Sequence, residues 1–225
     1  MNKDISKRNA AEEAVKSVKS GMIVGLGTGS TAKIAVDIIG SKLNDDFKII
    51  GMPTSIETKK QAENLEIKLI DIDDAEQIDI AIDGADEVSP DLSLIKGLGG
   101  ALLREKKVGK KAKELIIIID EGKIVRKLGR GELPVEVSAN NHENIASEIE
   151  KLGCEVNLRI EDNGNVFVTD NKNYIYHCKF PEGIENPSET DKKLLEINGV
   201  KDTGLFLNMA TKIIIGKENG VEILE

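Results

Sequence analysis

Three short stretches of the chain concentrate residues able to hold an oxyanion or move a proton. In "GLGTGSTA", residues 25–32, glycines let successive backbone N–H groups converge while Thr28, Ser30 and Thr31 add hydroxyl donors, a composition suited to a terminal phosphate. In "DGADE", residues 83–87, three carboxylates fall within five positions, with Asp83 and Asp86 spaced to face one ligand and Glu87 leading into the next turn. Such a cluster suits proton transfer, and equally a solvated turn or a divalent-metal site. In "KGLGGALLREKK", residues 96–107, Lys96 precedes Gly97, Leu98, Gly99 and Gly100, so a cation and backbone donors meet where an oxyanion would form. Glu105 follows inside a helical pattern. On spacing alone it reads as a solvent-facing acid paired with a neighbouring lysine; beside an oxyanion site it reads as a base.

Two familiar phosphate loops fail the spacing test. A dinucleotide fingerprint requires a third glycine where Ser30 stands after Gly25 and Gly27, and "FKIIGMPTS" ends without an acid to hold a ribose diol. A Walker A loop requires a Gly-Lys-Ser/Thr ending that the chain lacks.

The elements that must position these stretches alternate through the first half of the chain. Ala10, Ala11, Ala14, Val15 and Val18 recur at helical spacing with Gly21 as the stop, and "MIVGLG" reads as a buried strand. "TAKIAVDIIGSKL" puts Ile34, Ala35, Ile38, Ile39 and Leu43 on one helical stripe, "FKIIGMP" returns as a strand, and Thr54 or Ser55 caps a further helix. "IKLID", "IDIAID" and "ELIIIID" are Ile-rich runs of the kind buried on both faces of a parallel sheet. The expected fold class is α/β: a Rossmann-like, doubly wound sheet domain over residues 1–131 plus 206–225. From "GELPVEVSAN" the pattern changes to strand, helix (142–152), strand (156–160), an Asn163-Gly164 turn, strands "VFVTD" and "YIYHC", helix (188–197) and strand (200–206). That order predicts a smaller α+β, ferredoxin-like domain over residues 132–205. The tail carries an Asn219-Gly220 hairpin signal and is expected at the edge of the first sheet.

Composition removes several classes. A net charge of −9 leaves no basic footprint for nucleic acid, and no apolar run is long enough to span a membrane. With a polar start "MNKDISKRNA", a cytoplasmic location is expected. Cys154 and Cys178 form no C-x-x-C pair and read as reduced packing thiols; His142 and His177 lack paired ligand spacing and read as structural, so no metal site is expected.

Taken together, "GLGTGSTA", "DGADE", "IKGLGGALLREK", "LPVEV", "DNGN" and "TGLF" resemble, in order and over essentially the whole chain, the type A ribose-5-phosphate isomerases. The resemblance implies a Rossmann-like domain with a smaller ferredoxin-like lid that also serves oligomerisation. It implies interconversion of ribose 5-phosphate and ribulose 5-phosphate in the non-oxidative pentose phosphate pathway, through an ene-diolate, without metal or other cofactor. A sugar phosphate is then the partner, within a homodimer or homotetramer. Residue by residue, Glu105 falls on the proton acceptor, Asp83 and Asp86 with Gly84 and Ala85 on the substrate-binding acidic turn, and Lys96 with Gly97, Leu98 and Gly99 on the oxyanion side. Thr28, Gly29, Ser30 and Thr31 fall on the phosphate loop, Lys123 on a substrate-contacting lysine, and Lys7 on an N-terminal lysine near the phosphate. Leu98 departs from the glycine many members carry there.

Two other classes compete for the same motifs. A non-catalytic sugar-phosphate sensor requires a DNA-binding segment for which charge and length leave no room, and a lactonase or aminosugar-phosphate deaminase requires a histidine near the first domain's cleft. With no His/Cys ligand cluster in the sequence, turnover of ribose 5-phosphate is expected to persist after exhaustive chelation. Loss with EDTA that a divalent metal restores contradicts this expectation.

Overall fold

The computed structural model describes residues 3–225. In chain order it contains α1 (Lys3–Val15), β1 (Ile23–Leu26), α2 (Ser30–Ser41), β2 (Ile50–Pro53), α3 (Ile56–Asn64), β3 (Lys68–Leu69), β4 (Ile78–Asp83), β5 (Glu87–Val88) and β6 (Leu94–Ile95). There follow α4 (Leu102–Lys111), β7 (Ala112–Asp120), a 3-10 turn (Glu121–Lys123), β8 (Leu133–Val137), α5 (His142–Glu150), β9 (Glu155–Leu158) and β10 (Tyr174–Lys179). The chain ends with α6 (Pro187–Glu196), β11 (Val200–Thr203), β12 (Leu205–Phe206), β13 (Lys212–Lys217) and β14 (Gly220–Leu224).

By contacts the chain divides into two units. The first takes the described residues of Met1–Ala85 with Arg104–Lys123 and Met209–Glu225; the second takes Asp86–Leu103 and Ile124–Asn208. The sequence reading places residues 86–103, 124–131 and 206–208 with the first domain, whereas their contacts lie with the second. There β5 and β6 join β12 in a small antiparallel sheet, and Val125 donates to the Val88 carbonyl at 2.9 Å.

The first unit is built on a seven-stranded sheet in the order β14-β13-β7-β4-β1-β2-β3. Every pair is parallel except β13 with β14, the expected C-terminal hairpin, whose turn is Glu218-Asn219 rather than Asn219-Gly220 because Gly220 already pairs with Lys217. Chain order runs outward from β1 to β2 and β3, then restarts across β1 at β4. The switch point therefore lies between β1 and β4, and ligands of open α/β sheets bind outside the carboxyl ends of strands at such a point. Ile-rich β4 and β7 sit in the middle and are buried on both faces, as a parallel sheet covered by helices requires. Ala10, Ala14, Val24, Ile39, Ile80, Ile116 and Ile214 belong to its core. Small residues in α1 permit close approach: a Cβ on Gly216 of β13 would fall 1.8 Å from the Ser6 carbonyl oxygen. α1 ends at Val15 rather than running to Gly21, because Lys16, Ser17 and Val18 turn back with i→i−3 bonds while Val18 stays buried.

In the second unit, β8-α5-β9-β10-α6-β11 forms an antiparallel sheet in the order β11-β8-β10-β9, the ferredoxin-like arrangement. Leu133, Val135, Val137, Ile145, Ile149 and Leu194 share its core with the reduced thiols of Cys154 and Cys178. "VFVTD" is not a strand. Val166 makes a single bridge to Ile160, and Thr169, Asn171 and Asn173 instead donate to the Glu136 Oε1 atom at 3.0, 3.1 and 2.9 Å. A buried carboxylate thus takes the place of a neighbouring strand for this segment. The "DNGN" match forms an exposed turn, with Glu161 donating to the Asn165 carbonyl at 2.8 Å and Gly164 at φ 85°.

Glu87 works in the same way. Fully enclosed, its carboxylate accepts from the N–H groups of Gly129 at 2.7 Å, Arg130 at 3.3 Å and Gly131, tying the start of β5 to the segment before β8. Glu87→Gln presents an NH2 group to one of these donors, so a loss of about 1.5 to 3 kcal/mol is expected from the charged hydrogen bonds it replaces. Urea unfolding measures it; an unchanged midpoint shows that the loop holds itself.

Candidate functional site

The glycine and hydroxyl loop follows β1, whose register places Leu26 opposite Pro53 on one side and Ile82 on the other. Residues 27–28 and 83–84 therefore emerge side by side. Asp83, 3% exposed, accepts at Oδ1 from the Thr28 N–H at 3.1 Å and the Gly84 N–H at 2.8 Å. Only glycine fits at 27, because a Cβ there would stand 2.3 Å from that same oxygen. Gly29, at φ 105°, caps α2 without a side-chain hydrogen bond, so the first-turn N–H groups and the positive helix end remain for an anion.

The hydroxyls of the loop divide. Thr28 turns its Oγ1 into a cluster with Thr54 (2.7 Å), Ser55 (2.9 Å) and Thr58 (3.2 Å), while Thr58 donates to the Gly27 carbonyl at 2.9 Å and Thr54 to the Leu26 carbonyl at 3.0 Å. The hydroxyl expected on a phosphate is thus engaged in bracing the loop. Spacing gives Thr54 or Ser55 a capping role and Thr58 none; Ser55 is the cap of α3, accepting from the Thr58 N–H at 3.0 Å. Ser30 stays exposed at the head of α2 and receives the Lys7 Nζ at 3.0 Å, which joins the N-terminal lysine to the loop. Thr31 is 9% exposed.

Glu105 is 5% exposed, which counts against the solvent-facing reading that spacing alone favours. α4 runs directly into β7, so its first turn lies at the carboxyl ends of the parallel strands. Val108, one turn on, reaches β1 so closely that a Cβ on Gly25 would fall 2.7 Å from its Cγ1. Glu105 shares that inward face. Lys123, half-buried, ends the 3-10 turn after β7, where Asp120 Oδ1 accepts the Gly122 N–H at 3.0 Å.

Asp86, Lys96, Gly97, Leu98 and Gly99 belong to the second unit. Lys96 is 2% exposed, its N–H donating to the Gly204 carbonyl at 2.9 Å and its Nζ lying 5.4 Å from the centre of the Phe206 ring. Asp86 Oδ2 accepts the Leu98 N–H at 3.0 Å. Gly97 and Gly100 take φ of 100° and 93°, but Leu98 is not among the residues at positive φ, so its backbone does not demand a glycine. Arg159, which no motif or spacing singled out, donates from Nη1 to the Leu98 carbonyl at 2.9 Å and lies 3.7 Å over the Phe167 ring.

The sequence profile described as Ribose 5-phosphate isomerase A (phosphoriboisomerase A) matches residues 50–220. The chain belongs to the ribose 5-phosphate isomerase A family. Ribose-5-phosphate isomerase A of Bacillus mycoides is 46% identical over 216 residues, covering 96% of this chain and 97% of its own. The probable ribose-5-phosphate isomerase 3, chloroplastic, of Arabidopsis thaliana is 44% identical over 232 residues, covering 100% of this chain and 84% of its own. Ribose 5-phosphate isomerase A from Methanocaldococcus jannaschii superposes with a TM-score of 0.93 at 37% identity, covering 99% of this chain and 98% of that one. A D-ribose-5-phosphate isomerase solved in complex with phospho-erythronic acid superposes over all of both chains with a TM-score of 0.94 at 37% identity.

The two histidines of this isomerase-family chain both have local partners in the second unit. His142 Nδ1 lies 2.7 Å from the Tyr176 hydroxyl, and His177 Nδ1 lies 3.1 Å from Glu132 Oε2. Among the described residues no group of three or more His, Cys, Asp or Glu side chains is arranged to hold a metal ion. Burial, reinforced by the Arg159 guanidinium, outweighs the Glu132 and Asp86 carboxylates and holds the His177 imidazole below its ordinary 6.5. The unfolded chain then takes up a proton at a pH where the folded chain does not, so stability is lost as pH falls through about 6.5. Melting temperatures at about pH 7.5 and 5.5 check this: His177→Gln is expected to lose less on acidification than the wild type. Equal losses place the acid sensitivity elsewhere.

Proposed function

We propose that this chain catalyses the aldose-ketose interconversion of D-ribose 5-phosphate and D-ribulose 5-phosphate through an ene-diolate, with Glu105 as the base. The observation that carries the assignment of roles is the burial of three ionisable side chains, Asp83 at 3%, Lys96 at 2% and Glu105 at 5% exposure. Charged groups are seldom so enclosed unless they are held by partners or put to use.

Isomerisation needs a base to carry a proton between C2 and C1, a route for the hydroxyl proton between O2 and O1, and donors for the charge that develops on oxygen. In this reading the Glu105 carboxylate takes the C2 proton; the C2–H electrons form the C1=C2 bond and the carbonyl electrons move to O1. Lys96 and the glycine N–H groups after it hold that oxygen, Asp83 assists ring opening or passes the hydroxyl proton, and return of the carbon proton to C1 completes the ketose. Asp86 orients the glycine turn. Ser30, Thr31, the first turn of α2, Lys7 and Lys123 receive the phosphate and the polyol chain. Phospho-erythronic acid, held by the relative above, has both groups this reading calls for: a phosphate at one end and, at the other, a planar carboxylate resembling the ene-diolate oxygens. A cytoplasmic homodimer or homotetramer in the non-oxidative pentose phosphate pathway, with the ferredoxin-like domain as lid and oligomerisation surface, belongs to the same reading. No helix of the described residues is long and apolar enough to cross a membrane.

Glu105→Gln keeps shape and hydrogen bonding but cannot accept the proton. Removing a general base typically lowers kcat on the order of 10² to 10⁴, about 3 to 5 kcal/mol at the transition state, with substrate affinity little changed. Deuterium uptake from solvent at C2 of recovered ribose 5-phosphate is expected to collapse together with kcat. Near-wild-type exchange in a folded Glu105→Gln protein would transfer the role of base to Asp83 or Asp86.

A further inference from the structure

The glycine turn after Lys96 is held by two charged side chains acting on successive peptide planes. Asp86 Oδ2 accepts the Leu98 N–H at 3.0 Å, which fixes the plane between Gly97 and Leu98. Arg159 Nη1 donates to the Leu98 carbonyl at 2.9 Å, which fixes the next plane, between Leu98 and Gly99. In a trans peptide the carbonyl and the following N–H point in opposite directions, and no peptide bond of the described chain is cis. A guanidinium on the Leu98 oxygen therefore aims the Gly99 N–H to the other side of the turn, where Gly99 is exposed.

The guanidinium is itself held flat. It lies 3.7 Å over the Phe167 ring, and both groups close on the turn at Gly100, where a Cβ would meet Phe167 Cζ at 2.5 Å and Arg159 Nη1 at 3.0 Å. A glycine at φ 93° is thus required there by backbone and by space. Arginine suits the position because its planar group stacks on an aromatic face while donating in the plane; the compact ammonium of lysine does not do both. A cation on the carbonyl oxygen also polarises the peptide and strengthens its N–H as a donor.

We propose that Arg159 is a positioning residue for the isomerisation, setting the direction and strength of the Gly99 N–H that receives the developing oxyanion. This rests on the reading of residues 96–99 as the oxyanion turn. Arg159 touches no reacting atom in it.

The test compares Arg159→Met, Arg159→Lys and Phe167→Leu with the wild type in ribose 5-phosphate turnover and in binding of two probes. 4-Phospho-erythronate carries the planar carboxylate; ribitol 5-phosphate carries the phosphate and polyol but no planar oxygens. Deleting a whole oxyanion donor lowers kcat about 10² to 10³-fold, so misaiming one is expected to lower it about 10 to 100-fold in Arg159→Met, with KM within about threefold. Arg159→Lys is expected between Met and wild type, and Phe167→Leu to show a smaller kcat loss in the same pattern. Affinity for 4-phospho-erythronate is expected to fall in step with kcat/KM while ribitol 5-phosphate binds as before. Should Arg159→Met not fold, Phe167→Leu and Arg159→Lys carry the same comparison. Unchanged kcat in folded variants, or equal weakening of both probes, overturns the role of Arg159 and leaves the isomerase reading intact; a wild-type protein without turnover overturns that reading instead.

Discussion

The first unit is organised around one oxygen atom. Asp83 Oδ1, at the end of β4, accepts backbone N–H groups from both Thr28 after β1 and Gly84 in its own turn, and the absence of a side chain at Gly27 makes the approach possible. β1 and β4 are the strands on either side of the topological switch, so this carboxylate locks together the two loops that open there. A loop of small residues has little of its own to hold its N–H groups in one direction. The Asp83 bonds, together with the hydroxyls of Thr28, Thr54, Ser55 and Thr58 behind it, supply that restraint.

The second unit repeats the device with different anchors. Glu87 gathers three consecutive N–H groups at residues 129–131, Glu136 gathers the side chains of Thr169, Asn171 and Asn173, and Asp86 with Arg159 holds Leu98 from both ends. Each is a buried or half-buried charge that gathers groups with no ladder of their own. Charge-assisted hydrogen bonds of this kind are stronger than neutral ones, and they hold irregular segments in single conformations without secondary structure. Polar anchors leave the apolar residues of α5, α6 and β8 free to form a separate core.

Much of the architecture was legible because it follows from local rules. Ile-rich runs such as "IDIAID" and "ELIIIID" read as doubly buried strands, and the terminal hairpin and the cap at Ser55 follow from local backbone preferences, although the turn is made by Glu218 and Asn219, with Gly220 already paired to Lys217. Where a partner distant in sequence decides, local reading failed. "VFVTD" alternates like a strand but is drawn onto Glu136 by Thr169 and its neighbours, and residues 86–103 lie with the second unit because β6, paired with β5, also pairs with β12 more than a hundred residues later.

The sequence by itself determined the alternation of elements, the loops that carry the glycines, hydroxyls and carboxylates, and the family to which their order belongs, since each of these is written in neighbouring residues. Tertiary structure alone decided what those side chains do: that Glu105 is enclosed rather than solvated, that the Thr28 hydroxyl faces inward, that Leu98 needs no glycine, and that Arg159 reaches a turn sixty-one positions away. Burial and hydrogen-bond geometry depend on which surfaces meet after the chain has folded, and a one-dimensional spacing does not contain that information.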